Sequence, residues 1–156
     1  PEGTWTLDEV CTDYDFEQAV KGWCSSAQVE DTESDGSGEM IFTATHYERD
    51  ITVVHSGQAY LPSSCTSILS CANVAVAIRS VISGSQATCT SASAGGCDCD
   101  ITVTYQDTSD GTYSVSGGII TLDDGRIFYH CVAGSLTMRK FGSDAPNIQF
   151  TELHTK

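Results

Sequence analysis

Eight cysteines in a chain of 156 residues constrain this fold more than any other feature of the sequence. At that density, among abundant Ser, Thr and Gly, they read as a disulfide framework formed outside a reducing cytosol. The rival use of cysteine, a zinc site, requires paired Cys-x-x-Cys knuckles or Cys and His at ligand spacing. The chain offers Cys97-Asp98-Cys99 instead, and a histidine adjoins a cysteine only at His130-Cys131. Cys11 and Cys24 bracket a predicted helix and are expected to staple it to the end of the first strand. Cys65 and Cys71 are expected to form a small clasp, with Cys89 paired to Cys97 and Cys99 to Cys131. On a strand, Cys97 and Cys99 face one way and Asp98 and Asp100 the other. No basic neighbour or helix start stands beside Cys97 and Cys99 to favour a thiolate, so structural bonds are expected there and not redox chemistry.

Charge is the second constraint. The formal net charge is −14. Such a surface repels phosphate backbones and anionic lipid heads, both of which need clustered Lys and Arg, and this excludes nucleic acid and anionic membranes as partners. With 40% apolar and 8% aromatic residues, the chain can fill one core, and a single domain over 1–156 is expected. No apolar stretch approaches the ~20 residues of a spanning helix. A start at Pro1, with no basic stretch or apolar run after it, matches what remains once a signal peptide is removed. Secretion, or export and anchoring as a lipoprotein, is the expected localisation. Asn73 and Asn147 lie in no glycosylation sequon.

Periodicity points to β-structure. Trp5, Leu7 and Val10 mark a first strand. Phe16, Ala19, Val20 and Trp23 recur at helical spacing behind the capping residue Asp15. Residues 30–38 are acidic and Gly-rich and read as a solvated loop. Strands are expected over 40–47 and 51–60, joined by a tight turn at Glu48-Arg49-Asp50. In Asn73–Ile82, Val74, Val76 and Ile78 alternate as in a strand, while Val74, Ile78, Val81 and Ile82 share a helical face; the strand is favoured. Further on, Ile101, Val103 and Tyr105 alternate with threonines. Turns at Asp110-Gly111, Gly117-Gly118, Asp123-Asp124-Gly125 and Gly134 separate the later strands. The fold class expected is all-β, an antiparallel up-and-down β-barrel of about 8–10 strands with one short N-terminal helix. Connections this short favour a barrel over a sandwich, and closure removes the exposed edges.

Gly3-Thr4-Trp5 on the first strand resembles the Gly-x-Trp signature of lipocalins and the wider calycin group. Arg139, in Ser135-Leu136-Thr137-Met138-Arg139, sits where that family places an arginine that packs across the tryptophan. The run from Asp110 to Leu122 is also similar to bacterial secreted lipocalin-like domains. The resemblance implies a ligand-binding barrel, closed at one end by Gly3, Trp5 and Arg139, with no catalytic residue. A guanidinium stacked on the indole face would seal that end.

If the barrel is hollow, its wall comes from Phe42, Val53, Tyr60, Val76, Ile101, Val103, Tyr105, Tyr113, Ile120 and Phe128. The same side chains can equally fill a solid core. Four histidines, His46, His55, His130 and His154, are the groups poised near neutral pH. His46 and His55 would approach each other across the expected turn, but no third ligand or nucleophile accompanies them. Asp31 to Gly36 imitates the start of a calcium loop, yet Glu33 stands at its third position and Phe42 where the bidentate glutamate belongs. Ser83-Gly84-Ser85 is turn composition, and no Gly-x-Ser-x-Gly elbow occurs. The expected function is therefore a secreted, disulfide-stabilised binding protein holding a small apolar or amphipathic ligand, with no enzyme activity, cofactor or metal. A structural or adhesive subunit of an extracellular assembly, self-associating through sheet edges, is the alternative.

Overall fold

A computed structural model describes residues 1–12, 14–66, 69–131, 135–139 and 150–155, with backbone alone for 10–12, 128–131, 135–139 and 150–153. The strands are β1 (Gly3–Thr12), β2 (Gln28–Phe42), β3 (His46–Leu61), β4 (Ser85–Ser91), β5 (Cys97–Ser116), β6 (Ile119–Leu122), β7 (Ile127–Cys131), β8 (Ser135–Arg139) and β9 (Phe150–Thr155). The helices are α1 (Phe16–Trp23), α2 (Ser63–Thr66) and α3 (Cys71–Val81). The chain is thus mostly antiparallel β with few helices. Its strands join in the order β3-β2-β1-β9-β8-β7-β6-β5-β4, with an additional β3–β5 pairing. Among the described residues no helix is long and apolar enough to cross a membrane.

The chain packs as two compact units, 1–14, 34–53 and 106–156 in the first, and 15–33 and 54–105 in the second. In the first unit, β1 pairs with β2 so that Trp5 lies opposite Met40 and Gly3 opposite Phe42. Trp5, Leu7, Met40, Phe42, Ile51, Val53, Ile120 and Leu122 are buried together with Tyr47. The Trp5 indole N–H donates to the Pro1 carbonyl at 2.7 Å, so the ring is buried with its polar atom satisfied.

In the second unit, α1 starts as its sequence requires: the Asp15 carboxylate accepts from the Gln18 N–H at 2.7 Å. Phe16 lies against Gly57 on β3, where a Cβ would sit 2.7 Å from the ring, so this contact needs glycine. β4 pairs with β5 in unbroken register from Ser85↔Val103 to Ser91↔Cys97. Three disulfides close the unit: Cys24–Cys65, Cys71–Cys97 and Cys89–Cys99.

Several expectations are corrected. Cys24 bonds Cys65 and not Cys11; Cys71 bonds Cys97 and not Cys65; Cys89 and Cys99 bond each other across paired strands. The side chains of Cys11 and Cys131 lie outside the described residues. The segment expected as a strand is instead helix α3, Cys71–Val81, because the Ser70 side chain caps it by accepting from the Asn73 N–H and the buried set is Val74, Ala75 and Ile78, a helical stripe. The acidic stretch 30–38 is part of β2, exposed on both faces through 30–35, so ladder pairing and not side-chain burial holds it extended. The β2–β3 turn falls at 43–45, closed by the Thr43 N–H to His46 carbonyl bond at 2.9 Å, and Glu48-Arg49-Asp50 lies inside β3. Asp110-Gly111 makes no turn; Gly111 lacks the positive φ that Gly117, Gly118 and Gly125 supply at the turns that do form, and β5 runs through it.

Removing the buried indole takes away both its apolar area and its filled volume. Trp5→Ala should lower unfolding free energy by ~3–5 kcal/mol in urea titration; a loss below ~1 kcal/mol would show that Trp5 is not a core anchor of the first unit.

Candidate functional site

Alternation along β5 builds the candidate site of the second unit. Cys97, Cys99, Ile101 and Val103 are buried, which leaves Asp98 and Asp100 on the opposite face. α1 and α3 cover the buried face: Phe16 meets Gly57, and the Ser85 hydroxyl donates to the Ile78 carbonyl at 3.4 Å. The other face stays open and holds a groove of about 370 Å³. Gln28 and Glu30 enter it from β2, Gln58 and Tyr60 from β3, Asp98 and Asp100 from β5 and Thr90 from β4. The Tyr60 hydroxyl donates to the Gly95 carbonyl at 2.8 Å, which anchors its ring. Three carboxylates, two amides, a hydroxyl and one aromatic ring thus converge on one concavity. Such a set suits a small cation with several N–H or O–H donors and has no nucleophile paired with a base.

Alternation along β3 does the equivalent in the first unit, but there it turns charge inward. Tyr47, Arg49, Ile51 and Val53 are all buried. Arg49 Nε lies 3.2 Å from Asp107 Oδ2, and Arg126 Nη1 lies 2.6 Å from that same oxygen. Arg126 also donates to Asp124 and to the Ser109 hydroxyl. Two guanidiniums thus share two carboxylates, with Asp107 common to both, so loss of Asp107 would remove a partner from each buried cation at once. Burial pushes the Asp124 carboxyl up, but the hydrogen bonds and charge of Arg126 outweigh it and hold the group below its usual range. The Thr112 N–H chiefly holds Asp123 low. Burial, aided by the Asp124 charge, raises the Tyr47 phenol.

The residues expected to line a ligand cavity divide between the two units. Phe42, Val53, Tyr113 and Ile120 belong to the first unit, where the Phe42 and Tyr113 rings meet edge to face with centroids 5.0 Å apart. Tyr113 also donates to the Thr43 carbonyl at 2.6 Å. Tyr60, Ile101, Val103 and Tyr105 belong to the second. Val76 is corrected: it projects from α3 at 59% exposure and walls nothing. The side chains of Phe128, Arg139 and His130 lie outside the described residues. His46 and His55 share β3 nine positions apart, on alternate faces, and not on two flanking strands. Among the described residues no group of three or more His, Cys, Asp or Glu is placed to hold a metal ion. Residues 31–36 lie within β2, with a positive φ of 50° at Asp31, and do not form a loop.

Sequence reading missed Tyr47, Arg49, Asp107 and Arg126. The signal is present, since 47, 49, 51 and 53 keep one parity, but the polar composition of Glu48-Arg49-Asp50 reads as a turn and masks it. Gln28, Glu30 and Gln58 carried no signal of their own, because their convergence depends on pairing between distant strands. Comparison with family models, curated proteins and solved structures finds no match for the chain.

Burial lowers the pKa of His55 below its usual 6.5. The unfolded chain then binds that proton more readily, so the stabilising contribution is complete above pH 6.5 and is lost as pH falls through the lowered folded value. Urea unfolding followed from about pH 7.5 to about 4.5 should therefore lose stability more steeply in the wild type than in His55→Gln. Parallel curves for the two proteins would contradict this placement.

Proposed function

We propose that the chain is an extracellular, disulfide-stapled binding protein that captures a small cationic or amphipathic molecule without covalent chemistry. The observation that carries this reading is the convergence of Glu30, Asp98 and Asp100 with Gln28, Gln58, Thr90 and Tyr60 on one groove. A volume of about 370 Å³ suits a small molecule. The net charge of −14 adds a long-range field that draws cations and repels anions. Binding draws on hydrogen bonds and charge, with the Tyr60 ring as an apolar platform. Three disulfides support an oxidising compartment, which agrees with secretion or with export as a lipoprotein.

A second reading keeps the ligand inside a closed, lipocalin-like barrel. Its support is the β3–β5 pairing, additional to the linear strand order. There an amphipathic ligand would lay its apolar body beside Phe42 and Val53 and its polar end toward Arg49 and Arg126.

Thermal unfolding with two probes separates the readings. A ligand of the native state raises the melting temperature by mass action. Spermidine should raise it beyond a sodium chloride control of equal ionic strength, and Asp98→Asn with Asp100→Asn should remove the gain. Oleate should raise it in wild type and double variant alike if the barrel reading holds. A protein that responds to neither probe would sink both.

A further inference from the structure

We infer that Asp35-Gly36 is a site of spontaneous covalent modification, at which the Gly36 nitrogen closes onto the Asp35 side chain through a succinimide and leaves isoaspartate in β2. Three Asp-Gly pairs occur in the chain, at 35–36, 110–111 and 124–125. Glycine after aspartate favours this reaction, because no Cβ shields the attacking nitrogen. The dipeptide nominates all three alike, and the structure separates them.

At the first pair, the Gly36 N–H donates to Asp35 Oδ1 at 2.8 Å. The side chain is thus folded back over its own peptide, with the electrophilic Cγ one bond beyond the oxygen that the nitrogen already touches. This approaches a near-attack arrangement, in which reacting atoms stand roughly 3–3.5 Å apart. Ser34, Asp35 and Ser37 are exposed, so water reaches the carboxyl and little packing opposes the backbone rotation that ring closure needs.

The other two pairs are held out of reaction. The Gly125 N–H donates to the Leu122 carbonyl at 3.0 Å, which engages it away from Asp124. The Asp124 carboxylate is itself occupied: Oδ1 accepts from the Arg126 N–H at 3.0 Å and Oδ2 from the Arg126 guanidinium. Those contacts keep the group ionised, and an ionised carboxylate must take up a proton before an oxygen can leave as water. Gly111 lies within β5, where a Cβ would stand 2.5 Å from the Asp123 carboxylate. That carboxylate accepts from the Thr112 N–H at 2.8 Å, and the Thr112 carbonyl accepts from the Asp123 N–H at 3.0 Å. The backbone that follows Gly111 is therefore pinned. A negative charge beside Gly111 also opposes loss of the proton that its nitrogen would have to give up.

The reaction balances with water alone. The Gly36 nitrogen bonds to Asp35 Cγ, the C–O bond of the protonated carboxyl breaks, and its hydroxyl leaves as water with the proton from the nitrogen. Water then opens the five-membered ring. Attack at the main-chain carbonyl restores the original mass and charge but carries the backbone through Cβ and Cγ. β2 thereby gains one main-chain carbon at 35, which interrupts its two-residue alternation there.

This site does not rest on the binding function proposed above. The test incubates the full chain, disulfides intact, in water enriched in heavy oxygen and maps it by proteolysis with electron-transfer fragmentation, which cleaves the main-chain Cα–Cβ bond that isoaspartate alone has. Isoaspartate and heavy oxygen should accumulate at 35 about tenfold or more above 110 and 124. The same chain, reduced and in urea, should lose that preference. Gly36 has no positive φ, so Gly36→Ala fits the backbone and should slow the reaction at 35 about tenfold or more, with circular dichroism unchanged. An intact chain that forms no isoaspartate at 35, or as much at 110 or 124, overturns the inference. A preference that survives in urea belongs to local sequence and also overturns it, as does a Gly36→Ala chain that reacts as fast as the wild type.

Discussion

The two-residue period of β3 and β5 is the constraint on which the other features depend. Because successive side chains leave opposite faces of a strand, each choice of what to bury also fixes what is displayed. On β5, burying Cys97, Cys99, Ile101 and Val103 puts Asp98 and Asp100 on the open face. On β3, burying Tyr47, Ile51 and Val53 carries Arg49 inward with them, since it shares their parity. A buried guanidinium is tolerable only with a partner, and Asp107 on β5 provides it while also serving Arg126. The core and the groove are thus two consequences of one alternation.

Disulfides compensate for a thin core in the second unit. Its buried set includes Ala27, Ala59, Ala75 and Ala87 beside larger residues such as Phe16, Leu61 and Ile78. Alanines bury little area, so each contributes less than a leucine would. The three bonds close sequence separations of 41, 26 and 10 residues. In the chain-entropy account such loops contribute roughly 3–4 kcal/mol each by restricting the unfolded state. They also tie the helices to the sheet: Cys65 of α2 is bound to Cys24 at the end of α1, and Cys71 at the start of α3 to Cys97 of β5. The open face can then remain polar without needing apolar packing to hold it in place.

What the sequence made legible was local and periodic. Antiparallel β-structure, the α1 helix with its Asp15 cap, the Gly117-Gly118 and Gly125 turns and the opposed faces of Cys97-Asp98-Cys99-Asp100 all follow from spacing and turn chemistry. Errors arose where two local signals competed. Val74, Val76 and Ile78 fit a strand until Ser70 is recognised as a helix cap, after which the exposed Val76 costs nothing the helix cannot bear. Asp110-Gly111 and Glu48-Arg49-Asp50 look like turns by composition, but the strands continue through both because their ladders and inward partners outweigh local preference. Disulfide partners were illegible for a plainer reason. Cysteine positions alone do not say which strands meet, and Cys89 with Cys99 is settled only by the β4–β5 register.

Disulfide mapping of the unreduced protein tests the strand register and the helix-to-sheet ties that frame the groove most directly. Cleavage before aspartates separates Cys97 from Cys99, cleavage after Leu69 and Arg79 separates Cys65, Cys71 and the 80–97 segment, and elastase cleavage at Ala92 or Ala94 separates Cys89 from Cys97, so mass spectrometry can assign each sulfur. The account predicts peptides linked as Cys24–Cys65, Cys71–Cys97 and Cys89–Cys99. A Cys65–Cys71, Cys89–Cys97 or Cys99–Cys131 link would contradict it, because the β4–β5 register and the tie of α3 to β5 that frame the groove would then be different.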